Sequence, residues 1–200
     1  AAPGNIALAE LLCEQLGPDL TRAWRQVVSK QKLSAPQARF SGDLGQKFDP
    51  RVTEDTQVLL WPEEGVEGLS MASNGVANAN DGVMVLCENA QAATDRTLLI
   101  FGDSFYRQML PVLVRLFRRI VFCRSRFFHA EMVAAVAPDV ILTGLAERYL
   151  GSTRPDDARQ HFLAVPWASG RASTPEPGFA ELWSKMFDRE TLIGSGNSTT

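Results

Sequence analysis

Three consecutive residues, Gly102-Asp103-Ser104, stand directly behind the apolar run Thr97-Leu98-Leu99-Ile100-Phe101 and directly before a stretch with helical spacing. In open α/β sheets, ligands bind outside the carboxyl ends of strands, where such strand-to-helix turns lie. Gly102 permits a sharp turn and close approach of a ligand. Ser104 would open the helix, where unpaired backbone N–H groups and the helix dipole favour developing negative charge. Acyl transfer places an oxyanion at such a position, and losing one donor to it costs on the order of 3 kcal/mol of barrier. Asp and Ser are also preferred helix caps, so the same triplet reads equally as a start signal.

A serine nucleophile needs a base within hydrogen-bond reach, usually histidine. The sequence holds two, His129 and His161. His129 follows Phe127-Phe128 at the start of an expected helix, which suits a cap or a packed ring. His161 lies in an irregular C-terminal stretch. On residue types alone the activating partner of Ser104 stays open.

Other chemistries find less footing. There is no Gly-x-Gly-x-x-Gly, no phosphate-binding loop and no His-Glu-x-x-His. Glu131, Asp139 and Glu147 are scattered without a spacing that pairs them. Arginines 107, 115, 118, 119, 124 and 126 could make a basic face for an anionic polymer, though a solvated helix face accounts for them as well. Tyr106, Tyr149, Trp61 and Trp167 could stack on sugar rings or serve as core and rim residues. Cys13, Cys87 and Cys123 are odd in number, widely spaced and set among apolar residues, the pattern of small buried hydrophobes rather than of disulfides or zinc ligands. No metal or cofactor is expected.

The elements that must hold the Gly-Asp-Ser turn are the clearest part of the pattern. Strands are expected at 97–101, 119–123 and 138–143, with helices at 104–118 and 128–137 between them. Met109, Leu110, Leu113, Val114 and Phe117 line one face of the first helix, and Pro111 should bend or shorten it. Strand, helix, strand, helix, strand implies right-handed crossovers and a doubly wound, mostly parallel sheet. Upstream, apolar spacing predicts helices over 4–16 and about 20–32, separated by Gly17-Pro18. Residues 33–56 and 63–82 read as loop and turns, with short strands at 57–61 and 83–87. Downstream, 151–177 reads as loop, 179–187 as a short helix, and the tail from Gly194 as disordered. Asn197-Ser198-Thr199 in that tail matches a glycosylation sequon.

Composition places the chain among globular proteins. Of its 200 residues 45% are apolar and 22% charged, enough to cover a parallel sheet. A net charge of −3 gives no ground for nucleic acid as a partner. No stretch reaches the roughly 18 uninterrupted apolar residues of a membrane span, and no signal-peptide pattern opens the chain. Ala1-Ala2-Pro3-Gly4 reads like the middle of a protein. The expected division is an α/β domain over 1–150, lacking an N-terminal part, and an extension over 151–200.

Several segments taken together carry a more specific likeness. Leu98 to Phe105, the helix after it, and Pro138-Asp139-Val140-Ile141 leading to Glu147-Arg148-Tyr149-Leu150 resemble the alginate O-acetyltransferase group of SGNH-hydrolase-like proteins. Gly42-Asp43-Leu44-Gly45-Gln46-Lys47-Phe48 and Glu88-Asn89 fit that group's pattern too. The likeness spans residues 4 to 150. It implies a flavodoxin-like fold of the SGNH type and acetyl transfer to, or removal from, an exported polysaccharide through an acetyl-Ser104 intermediate, in the periplasm or outside a bacterial cell. The implied partners are the polysaccharide and an acetyl donor, delivered by a membrane acyltransferase. Gly102, Asp103, Asn74 and Asn89 are the expected oxyanion and site supports, and Tyr106 and Arg148 the expected substrate contacts. In this group the base comes from an Asp-x-His element upstream of a helix resembling the one that begins Pro3-Gly4-Asn5, so the element is expected before Ala1; the 200 residues contain none. Two alternatives share the fold: an inactive polysaccharide-binding or assembly module, and a structural domain of a larger membrane-associated synthase.

Overall fold

The computed structural model describes residues 2–188 apart from 31, 34–36, 42–44, 57–58, 61–65, 78 and 153. The chain divides into two compact units, Ala1–Gly65 and Val66–Thr200.

In the first unit, α1 (Ala2–Leu16) and α2 (Pro18–Val28) form a helical hairpin. Gly17 joins them at φ 118°, a left-handed angle that favours glycine, and Pro18 begins α2 where a missing N–H costs nothing. The Thr21 hydroxyl donates to the Cys13 and Gly17 carbonyls at 3.0 Å. Ala9, Cys13, Leu20, Ala23 and Trp24 are buried. Four short strands follow: β1 (Lys32–Leu33), β2 (Gln37–Phe40), β3 (Glu54–Thr56) and β4 (Leu59–Leu60). They pair antiparallel as β1 with β4 and β2 with β3. β2 and β3 lie within the stretch read as loop, because three or four residues cannot display a period. The expected strand over 57–61 survives as β4; its residues 57, 58 and 61 lie outside the described residues.

The second unit is built on β5 (Ser70–Ser73), β6 (Met84–Glu88), β7 (Thr94–Gly102), α3 (Ser104–Leu113), β8 (Phe117–Arg124), α4 (Ala130–Val136) and β9 (Val140–Gly144). The sheet order is β5-β6-β8-β7-β9. β9, β7 and β8 are parallel; β6 runs antiparallel to both β8 and β5. Four strands thus share one direction, and the fold is α/β with a mostly parallel central sheet. Leu98, Leu99 and Ile100 of β7 and Ile120, Val121 and Phe122 of β8 are wholly buried, as central parallel strands with both faces covered must be.

The two faces follow from the two-residue period. Leu99, Phe101, Val121 and Cys123 pack with Met132, Ala135 and Val136 of α4. Leu98, Ile100, Ile120 and Phe122 point the other way, toward α3, which packs on β7 and β8 through Met109, Leu110, Val112 and Leu113. The crossover through α3 runs from β7 to β8, and the one through α4 returns from β8 past β7 to β9. The two helices therefore lie on opposite faces of the sheet, and in the local order β8-β7-β9 the topological switch point falls between the carboxyl ends of β7 and β9.

Three expectations need correction. The helix read as 104–118 stops at Leu113; Pro111 shortens it, and Phe117 and Arg118 are claimed by β8. An edge strand, β5, lies inside the stretch read as turns, because Ser70-Met71-Ala72-Ser73 buries only Ala72 fully and shows almost no alternation. Residues past Leu150 are no appendage of the second unit. Phe162 and the helices α5 (Val165–Ala168) and α6 (Phe179–Met186) follow, and Phe162, Phe179, Leu182 and Met186 join the same core cluster as Leu99 and Val121. The tail expected to be disordered from Gly194, with its sequon, lies outside the described residues. No described helix is long and apolar enough to cross a membrane.

Candidate functional site

Ser104 is the first residue of α3, two residues past the end of β7, and half-buried. At that position its N–H has no intrahelical acceptor. Asp103 is the N-cap: its Oδ1 accepts the Phe105 N–H at 2.9 Å, and its Oδ2 accepts the Ala146 N–H at 2.8 Å. Both carboxylate oxygens are therefore spent on fixing the turn and tying it to the segment after β9. Asp103 thereby holds the turn from which Ser104 begins α3.

Gly102 and Gly144 sit side by side in the β7–β9 ladder, and the Tyr106 ring lies across them. A Cβ at Gly102 would come within 2.5 Å of Tyr106 Cδ2, and one at Gly144 within 2.5 Å of Tyr106 Oη. Tyr106 Oη approaches the Thr143 carbonyl at 3.4 Å, and burial followed by the charge of Asp103 pushes its phenol pKa up. The expected substrate contact thus acts first as a packing lid over the glycine pair. Arg148 stacks above Phe105 and Tyr149, its guanidinium carbon 5.9 and 5.0 Å from the ring centroids. Phe105 is 53% exposed, so an aromatic and cationic surface adjoins Ser104.

The two expected asparagines do not join this site. Asn74 Nδ2 donates to the Gly82 carbonyl at 2.9 Å, and its Oδ1 accepts the Met84 N–H at 3.0 Å, closing the turn between β5 and β6. Asn89 is buried beyond β6, where Glu88 pairs with Arg119 at the start of β8, the far end of the sheet from Ser104. Its Nδ2 donates to the Val114 carbonyl at 2.7 Å and its Oδ1 accepts the Gln91 N–H at 3.0 Å. Each is a backbone clamp, because a short amide side chain beside a turn satisfies local N–H and C=O groups first.

A buried polar chain lies beyond the β8 terminus, and sequence spacing alone did not assemble it. Ser125 N–H donates to the Gly102 carbonyl at 3.2 Å, so this loop abuts the end of β7. Ser125 Oγ lies 2.7 Å from His129 Nε2, and His129 Nδ1 lies 3.0 Å from Glu131 Oε1. Arg159 closes on both Glu131 oxygens at 3.1 and 2.6 Å, and the Phe162 N–H donates to Oε1 at 3.0 Å. His129 occupies the N-cap position of α4 but makes no side-chain cap bond; its ring is enclosed by Phe101 and Phe162. Burial lowers the His129 pKa, against the opposing pull of Glu131. Burial alone would raise the Glu131 pKa, but hydrogen bonds from the Phe162 N–H, its own N–H and His129 outweigh it and bring the carboxyl below its ordinary value. The ring is therefore neutral and the carboxylate charged at neutral pH. The imidazole proton then faces Glu131 from Nδ1, leaving Nε2 to accept the Ser125 hydroxyl.

The remaining candidates scatter. His161 accepts the Leu163 N–H at 3.2 Å. Arg118 pairs with Asp95, Arg126 with Asp81, and Arg124 donates to Asn80, so these three serve both ends of β8 rather than one basic face. Asp139 Oδ2 accepts the Thr97 N–H at 2.7 Å. Trp167 is 85% exposed on the rim of an apolar cavity of about 350 Å³; Trp61 lies outside the described residues. The three cysteines are buried and unbridged, with burial pushing Cys13 up to about 11 and Cys87 up to about 12. Among the described residues no three His, Cys, Asp or Glu side chains converge as metal ligands.

No protein-family model matches the chain, and no curated protein does. Among solved structures, the chain is similar to Bacillus cereus PatB1 carrying a sulfonyl adduct, at 13% identity and a TM-score of 0.44, over 61% of this chain and 48% of that one. A DHHW family protein from Eubacterium siraeum aligns at 17% identity and a TM-score of 0.47, over 71% of this chain and 55% of that one. The chain spans about half the length of these structures. At these scores the likeness is a distant one of fold and says nothing of substrate.

Proposed function

We propose that this protein is a serine-dependent acyl-transfer unit of the SGNH type, in which Ser104 carries an acetyl group to or from the hydroxyls of an exported bacterial polysaccharide. The observation that carries the reading is the placement of Ser104: first turn of α3, at the carboxyl end of a central parallel strand. There its hydroxyl attacks the donor carbonyl, and the Ser104 N–H with the positive end of α3 receives the oxyanion. A sugar hydroxyl or water then resolves the acetyl-serine. The surface of Phe105, Arg148 and Tyr149 offers a sugar ring an aromatic face and a donor beside the nucleophile.

His129 is engaged by Ser125 and Glu131 rather than by Ser104. The resemblance assigns the base of Ser104 to an Asp-x-His element that these residues do not contain, and the acetyl donor to a membrane acyltransferase.

The test is transfer of isotope-labelled acetyl to an oligosaccharide acceptor by the native polypeptide and by Ser104→Ala. The variant is expected to lose transfer by at least about 10³-fold, as removal of a serine nucleophile does elsewhere. Undiminished transfer would overturn the reading.

A further inference from the structure

We propose that Ser125, His129 and Glu131 form a second serine nucleophile centre, separate from Ser104, that takes short acyl esters. Two independent features carry it. The first is the order of the hydrogen bonds, serine hydroxyl to imidazole to carboxylate, at 2.7 and 3.0 Å. A serine needed only to close its turn would be satisfied by the Phe127 N–H, which its Oγ already accepts at 3.1 Å. Ser125 also spends its proton on a ring whose far side is held by an ionised carboxylate. That is the arrangement by which a serine is made nucleophilic, on any fold.

The second feature is access. Ser125 is only 4% exposed, yet it lines two cavities, one of about 130 Å³ with Gly102, Asp103, Arg126 and Tyr149, the other of about 240 Å³ with His129 and Arg159. The smaller lies where the carboxyl ends of β7, β8 and β9 meet, lined by Gly102, Ser125 and Leu145, on the edge of the sheet where open α/β folds bind their ligands. Its volume is well below the roughly 300 Å³ at which drug-sized ligand pockets begin, which suits an acetyl-sized group and excludes long acyl chains. Arg126, ion-paired with Asp81 at 3.3 Å, and Asp103, the cap of α3, also stand on its wall.

The step balances without a co-reactant beyond the ester and water. Ser125 Oγ bonds to the ester carbonyl carbon as its proton passes to His129 Nε2. The C–O bond to the alcohol then breaks, and the alcohol leaves with that proton. Water repeats the sequence on acyl-Ser125 and releases the acid. Glu131, held by Arg159, remains ionised throughout and is a positioning residue.

The experiment treats the native polypeptide with a small fluorophosphonate and maps the adduct by peptide mass spectrometry. A phosphonyl adduct on Ser125 is expected, lost in Ser125→Ala, retained in Ser104→Ala, and formed at least about tenfold more slowly in Glu131→Gln. No adduct on Ser125 in protein that melts cooperatively, or an adduct on Ser104 alone, overturns the proposal and leaves the reading of Ser104 standing. Should Ser125→Ala fail to fold, Ser125→Cys keeps the shape. Its thiol is expected to react with iodoacetamide at pH 7 faster than the three native cysteines, which burial keeps protonated. Equal reactivity overturns the proposal.

Discussion

Replacing Gly102 by alanine tests the packing that holds the Gly-Asp-Ser turn. The new Cβ would stand 2.5 Å from Tyr106 Cδ2, 3.1 Å from its Cγ and 3.2 Å from the Gly144 carbonyl. Carbon pairs settle at about 3.5 to 4.0 Å, so the ring must withdraw by about 1 Å. Tyr106 is half-exposed and can swing outward, but only by leaving the paired glycines and the Thr143 carbonyl. Overpacking of this kind costs about 1–3 kcal/mol. At about 2 kcal/mol, and 2–4 °C per kcal/mol for a chain of this size, Tm falls by about 4–8 °C. With Tyr106 already reduced to alanine, the main obstacle is gone. Gly102 is not among the glycines of positive φ, so the substitution then stabilises by about 0.4–1 kcal/mol through the unfolded chain. The assay is a double-mutant cycle by urea titration of the parent, Gly102→Ala, Tyr106→Ala and the double variant. A coupling of about 2 kcal/mol or more is expected. Additivity within about 0.5 kcal/mol would refute the placement of the ring over Gly102.

Two further outcomes follow from the buried polar groups. His129 has a pKa below the usual 6.5, because burial disfavours its charged form. Between that value and 6.5 the unfolded chain binds the proton more readily, so stability present above pH 6.5 declines as pH falls through this window. Glu131, Arg159 and His161 are the charged or titratable groups acting on the ring; an NMR titration of His129 with a midpoint at or above 6.5 would contradict its burial. Asn89→Ala should lower stability by about 1–3 kcal/mol in urea melts, since it orphans the Val114 carbonyl and the Gln91 N–H. Because Asn89 lies at the far end of the sheet, acetyl transfer and Ser125 labelling should be unchanged in the folded variant; a loss of either would place it nearer the site than the register allows.

Local pattern determined the centre of the molecule. The apolar run at 97–101 was legible as a buried strand because parallel strands covered on both faces need no alternation. Asp103 was legible as a helix start because a carboxylate there can take the first-turn N–H groups, and it does. The cysteines were legible as core residues for want of any partner spacing. What alternation and capping cannot encode is which strands become neighbours. The insertion of antiparallel β6 beside β8, and of β5 beyond it, is set by long-range pairing that a four-residue edge strand does not announce. The same limit hid the second polar chain. Ser125, His129 and Glu131 are close in sequence, and a serine four residues before a histidine was the available signal. Their order depends on Arg159 and Phe162 docking from some thirty residues downstream, and on the register that sets Ser125 against Gly102. A hydrogen-bonded relay is a property of distances, and only the folded sheet fixes those.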